Sequence, residues 1–133
     1  MTATPNEPLV LDHLLSYQLN PTAVWLHTSG KFYAGMFQSL CSESDNKVFW
    51  LHVDPYILLQ PLPGGENPED FDSLKCIRRG TNYLDGQPFK IPRPCTITKS
   101  SEYLLKVEFS GNGQVMFSRN PENVVKIRSI LQG

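Results

Sequence analysis

Residues 21–60 read PTAVWLHTSGKFYAGMFQSLCSESDNKVFWLHVDPYILLQ, and this stretch decides the fold. It is rich in Val, Phe, Tyr and Trp, which suit a pleated, half-buried surface, and turn residues interrupt it at short intervals. The spacing predicts strands at Thr22–Thr28, Lys31–Leu40 and Lys47–Val53, with a tight turn at Ser29-Gly30 and a polar turn over Ser42–Asn46. Connections this short join antiparallel neighbours. Asp54-Pro55 predicts a break, because proline donates no hydrogen bond to a ladder, and Tyr56–Gln60 predicts a short fourth strand that Pro61 and Pro63 end.

Upstream, Leu11, Leu14, Leu15 and Leu19 recur at i, i+3, i+4 and i+8, which places them along one face of a helix from Leu9 to Leu19 that Pro21 stops. Residues 1–8, with two prolines, read as a flexible N-terminal lead, and residues 9–133 as a single domain. Downstream, Pro61–Ser73 carries three prolines, Gly64-Gly65 and the acidic residues Glu66, Glu69, Asp70 and Asp72, and is the longest loop-like stretch of the chain. Leu74–Arg79 and Pro88–Thr98 have weaker extended character, separated by a turn region at Gly80–Gly86. Tyr103, Leu105, Val107 and Phe109 then alternate with mostly polar residues, as one face of a half-buried strand requires. Gly111-Asn112-Gly113 turns the chain into a return strand with Val115 and Phe117 on its core face. Asn120-Pro121-Glu122 is a helix start, and Val124, Ile127 and Leu131, flanked by Val125 and Ile130, form the buried stripe that follows. The order predicts an α+β domain, a bent antiparallel sheet or small barrel flanked by N- and C-terminal helices.

The length agrees with one domain: 133 residues leave little room for a second core. With 12 Lys+Arg against 13 Asp+Glu, the balance excludes a uniformly basic nucleic-acid binder and leaves a local patch open. The first residues lack the basic and apolar regions of a signal peptide, and the longest apolar runs, such as Val48–Leu51, are far shorter than the roughly 20 residues of a membrane-spanning helix. Cys41, Cys76 and Cys95 are odd in number, widely spaced and without a C-x-x-C pair, as expected for reduced thiols. These features predict a protein without a membrane segment that is intracellular, in cytoplasm or nucleus, rather than secreted.

Catalytic signatures are missing. His13, His27 and His52 stand in no metal-ligand or triad spacing, and the chain contains no phosphate loop, dinucleotide fingerprint or nucleophile elbow. No metal, cofactor or enzymatic activity is therefore expected. A thiol-dependent enzyme using one of the three cysteines is the remaining catalytic alternative, against which stands the usual burial of cysteine as a small apolar side chain. The charge pattern is more informative, since the acidic loop is followed by Lys75, Arg78, Arg79, Lys90, Arg93 and Lys99 with only Asp85 against them. If the first five share a surface, they form a basic patch suited to phosphates or an acidic partner.

The segment Ala23-Val24-Trp25, Gly30-Lys31-Phe32-Tyr33-Ala34-Gly35-Met36-Phe37 and Val48-Phe49-Trp50-Leu51-His52-Val53-Asp54-Pro55-Tyr56 resembles the small, SH3-like barrel of Tudor domains over about residues 22–60. That resemblance implies an aromatic cage able to hold a methylated Lys or Arg by cation–π attraction, with Trp25, Tyr33 and Tyr56 as its walls and Trp50 or His52 as a further one. Asp54-Pro55-Tyr56 departs from the Gly-rich turn and following Asn usual there. Gly30, Tyr33, Gly35 and Phe37 after an N-terminal helix also resemble the first motif of Sm-like RNA-binding proteins, although Cys41 replaces the expected acidic residue. Packing of the same aromatics into a plain sheet core is the competing account. The expectation is a non-catalytic interaction domain that binds a protein through Trp25, Tyr33, Trp50, His52 and Tyr56 or through the acidic, proline-rich loop. RNA binding through the basic 75–99 segment is the alternative, and unpaired strand edges would be compatible with a homodimer.

Overall fold

The computed structural model describes residues 7–28, 30–43, 47–64, 70–80 and 87–133, with side chains from Leu11 onward. The element order is α1 (Glu7–Gln18), β1 (Ala23–Thr28), β2 (Lys31–Ser42), β3 (Val48–Pro61), a single 3-10 turn (Phe71–Ser73), β4 (Leu74–Arg79), β5 (Phe89–Pro92), β6 (Cys95–Lys99), β7 (Leu104–Phe109), β8 (Gln114–Ser118) and α2 (Pro121–Gln132). The eight strands form one antiparallel sheet in the order β4-β3-β2-β1-β8-β7-β6, with β5 paired to the first half of β3. This is the expected α+β layout in its bent-sheet form. Among the described residues no ladder joins β5 to β6 or β7, so the sheet does not close into a barrel.

The chain runs through Asp54-Pro55 without a break, contrary to the two strands expected there. Ala34 pairs with Ile57 and Met36 with Asp54, so Gly35 alone faces Pro55 and Tyr56. This is a β-bulge, and the extra residue in a bulge has no ladder bond to make, which is why proline fits. A second register shift follows between Phe37/Val53 and Ser39/His52, with the extra residue on β2. Together they fold the long β2–β3 hairpin over. Its curl is measurable: β5 and β7 are five steps apart in the sheet, about 24 Å if flat at roughly 4.8 Å per step, yet the Phe89 and Phe109 rings lie 5.9 Å apart.

The curled interior is one core. Val24, Leu26, Phe49, Leu51, Val53, Val107, Val115 and Phe117 meet there with Phe89 and Ile91, and Leu14 and Tyr17 of α1 pack on them. Thr22 anchors the end of α1, its buried hydroxyl lying 2.5 Å from the Tyr17 carbonyl oxygen and 2.8 Å from that of Asn20. The helix ends at Gln18, so Leu19 leaves the expected apolar face and is 85% exposed. On the outer face of the sheet, Trp25, Phe32, Ile57, Leu59 and Met116 form a second core beneath Val124 and Ile127 of α2. Both faces of β8 are thus covered, which explains why Met116 is buried alongside Val115 and Phe117. The Asn120 side chain caps α2 by accepting from the Glu122 amide at 3.0 Å, with Pro121 in the first turn, as the sequence predicts. Tyr103, expected on the apolar face of its strand, precedes β7 and is 47% exposed.

A side chain at Gly35 has no space: an added Cβ would lie 2.7 Å from the Asp54 carbonyl oxygen and 2.5 Å from Val53 Cγ1. Gly35→Ala is expected to lower unfolding free energy by about 1–3 kcal/mol, read as a reduced urea midpoint, whereas Gly30→Asn at a positive-φ turn with open surroundings costs much less.

Candidate interaction surface

Strand alternation and the cover provided by α2 divide the five aromatic and histidine candidates among different environments. Trp25 is 2% exposed on the α2 side of the sheet and packs edge-to-face on Phe71, ring centroids 5.6 Å apart. Tyr56 is buried in the curled interior, and Tyr33 packs against it edge-to-face at 6.4 Å. Trp25 therefore faces away from Tyr33 and Tyr56, and the three do not line one cavity as a cage would require. The Trp25 indole Nε1 is buried with no acceptor among the described residues, in keeping with a packing role.

Trp50 and His52 are different. Phe49, Leu51 and Val53 point into the curled core, so by alternation Trp50 and His52 project from the outer face of β3, both half-buried. Across the ladders Trp50 stands opposite Lys90 of β5 on one side and Cys41 of β2 on the other. The Lys90 ammonium lies 5.9 Å from the Trp50 ring centroid, a cation–π distance. Cys41, exposed, is a diagonal neighbour of His52, which itself pairs with Ser39. Cys76 and Cys95 sit on β4 and β6, so the three thiols are dispersed over separate strands.

The expected basic patch is divided. Lys75, Arg78 and Arg79 lie on β4, which pairs with Ile57–Pro61 of β3, whereas Lys90 pairs at Trp50. The seven residues from Trp50 to Ile57 set the groups roughly 23 Å apart along the strand at about 3.3 Å per residue. Arg93 stacks its guanidinium 4.7 Å from the Phe49 ring. Arg79 donates through Nη1 to the carbonyl oxygens of Ile130 at 2.6 Å and Leu131 at 3.2 Å. Those carbonyls are left over at the negative end of α2, so the cation both satisfies them and complements the dipole. Charged side chains on an end strand such as β4 also discourage pairing with another chain.

Part of the acidic loop is structural too. Asp70 accepts from the Ser73 hydroxyl at 2.6 Å, Asp72 forms an ion pair with Lys126 of α2, and Phe71 between them is buried against Trp25. Glu66 and Glu69 lie outside the described residues, as does most of the Gly80–Gly86 turn. Among the described residues no three His, Cys, Asp or Glu side chains assemble into a metal-holding group, and no helix is long and apolar enough to cross a membrane.

The surface also holds a cleft that no motif in the sequence announces. An open cleft of about 550 Å³ lies where the start of α2 meets the chain around Asn20 and Tyr103. Its residues come from three separated parts of the sequence, around 20, 102 and 119–128. The available signal was apolar residues off their expected buried stripes, since Tyr103 and Val125 both line it and both are exposed. Compared with protein-family models, curated proteins and solved structures, the chain gives no significant match to any of them.

The division of the basic residues is testable by stability. Arg79→Ala is expected to cost about 0.5 kcal/mol through loss of the charge at the end of α2, an effect that shrinks in high salt. Arg78→Ala is expected to leave the urea midpoint unchanged, because Arg78 is exposed and no hydrogen bond or ion pair of its side chain is found among the described residues.

Proposed function

We propose that this chain is a non-catalytic interaction domain that binds another protein through the outer surface of β3 and β5, centred on Trp50 with His52 and Lys90. The observation that carries this reading is the position of Trp50: a large aromatic side chain kept half-exposed on a sheet face, beside a cation and beyond the residues that α2 packs on. An amphipathic ring at such a place contributes apolar contact area together with an indole N–H donor, the combination enriched at energetic centres of interfaces. The Tudor-like resemblance supports partner binding in this sense, while the burial of Trp25 argues against a methyl-ligand cage built from Trp25, Tyr33 and Tyr56. The separation of Lys75, Arg78 and Arg79 from Lys90, and the engagement of Arg79 with α2, make the RNA-binding alternative weaker.

Affinity capture from native cells with the wild-type chain and with Trp50→Ala tests the proposal. Trp50 is not in either buried core, so the variant is expected to retain its urea midpoint within about 1 kcal/mol. Its protein partners are expected to fall at least tenfold, with Lys90→Glu reducing the same proteins and Arg78→Ala reducing none. Unchanged partners in Trp50→Ala would refute the surface, and capture that nuclease treatment removes would favour nucleic acid instead.

A further inference from the structure

The cleft beside α2 shares no residue with the Trp50 surface, and its chemistry is specific. Its apolar wall comes from Pro21, Tyr103, Val124 and Val125, of which Val125 is 65% exposed although Val124 and Ile127 of the same helix are buried. Leu19, directly before the cleft residue Asn20, is exposed as well. The charged residues of the cleft are Arg119, Arg128 and Glu102, two cations to one anion. Among the described residues neither arginine forms an ion pair, and with Glu102 counted the cleft keeps an excess of one positive charge.

Arg119 is held in place. Its guanidinium stacks 4.3 Å from the Tyr17 ring, and its backbone amide donates to the Tyr103 carbonyl oxygen at 2.8 Å. Stacking on an aromatic face leaves the edge of the guanidinium, where its N–H groups point, free to grip a carboxylate in the bidentate manner. Little side-chain freedom is then lost on binding. The positive end of α2, which starts at Pro121 in the cleft wall, adds its field in the same sense.

We propose that this cleft is a second docking site, for a short extended protein segment that carries carboxylates beside a bulky apolar side chain. The apolar side chain seats against Tyr103, Val124 and Val125, and the carboxylates meet Arg119 and Arg128. An isolated phosphate or a nucleic-acid strand would satisfy the arginines but leave the aliphatic wall in water, and a purely apolar segment would leave two desolvated cations without partners. Acidic and apolar groups together satisfy both halves of the site.

The test uses the full chain, labelled with nitrogen-15, and two probe peptides, Ac-Glu-Leu-Asp-Phe-Glu-Leu-Asp-NH2 and its basic counterpart Ac-Lys-Leu-Arg-Phe-Lys-Leu-Arg-NH2. The acidic peptide is expected to shift the amide resonances of Tyr103, Arg119 and Val125 saturably, and the basic one to leave them in place. Arg128→Glu and Val125→Glu, both on exposed positions of α2, are expected to raise the dissociation constant at least tenfold while the rest of the spectrum stays dispersed. Trp50→Ala is expected to leave this binding unchanged, which separates failure of this site from failure of the Trp50 surface. The proposal is overturned if the basic peptide binds as well as the acidic one, if the shifts fall elsewhere or are absent, or if a ten-residue oligouridylate shifts the same amides more strongly.

Discussion

The close contact between Gly35 and the Asp54–Pro55 backbone is the constraint on which the rest of the structure depends. Two residues of β3 face one residue of β2 at that point, and only a residue without Cβ lets the two backbones approach so closely. The bend that results carries the first half of β3, and β5 with it, over the inner face of the sheet until Phe89 meets Phe109. Without that bend, Phe49, Leu51, Phe89 and Ile91 would have no opposing layer to bury them. The short Arg93-Pro94 link joins β5 to β6 across the two ends of the curl, so strands adjacent in sequence lie on opposite ends of the ladder order.

The bend also determines what the two helices cover. α1 packs into the open end of the curl through Leu14 and Tyr17, whereas α2 lies on the outer face over Trp25, Ile57, Leu59 and Met116. One twelve-residue helix is about 18 Å long at 1.5 Å per residue, which is too short to follow a fourteen-residue strand to its end. The outer face of β3 beyond the bulge therefore keeps Trp50 and His52 half-exposed, while the equivalent face of the second half of β3 is sealed. At the other end of α2, its first turns stand off far enough from the Asn20 and Tyr103 regions to leave the arginine-lined cleft. Both proposed surfaces are thus consequences of where α2 stops covering the sheet.

Much of the architecture was legible in the chain because it follows from local periods. The alternation in Leu105 and Val107, the cap and proline at Asn120-Pro121, and the glycine turn at Gly111 all appear as read. Local patterns misled where a distant partner changed the rule. Asp54-Pro55 reads as a strand end unless Gly35 is known to lie opposite it, and Arg79 reads as part of a basic patch unless the end of α2 is known to reach it. Tyr103 continues the alternation on paper, but the ladder of β7 begins one residue later.

Periods of two and 3.6 residues, with turn chemistry, set the two helices, most of the strands and the alternation of faces within each strand before any long-range contact forms. The sequence also concentrated the aromatic residues between Trp25 and Tyr56. It did not assign those aromatics to surface or core. Trp25 and Trp50 sit in similar strand contexts, yet one is sealed beneath α2 against Phe71 and the other remains open beside Lys90. Long-range packing settles this, because exposure depends on which sheet face a helix roughly 100 residues away in sequence comes to cover, and no local pattern encodes that contact.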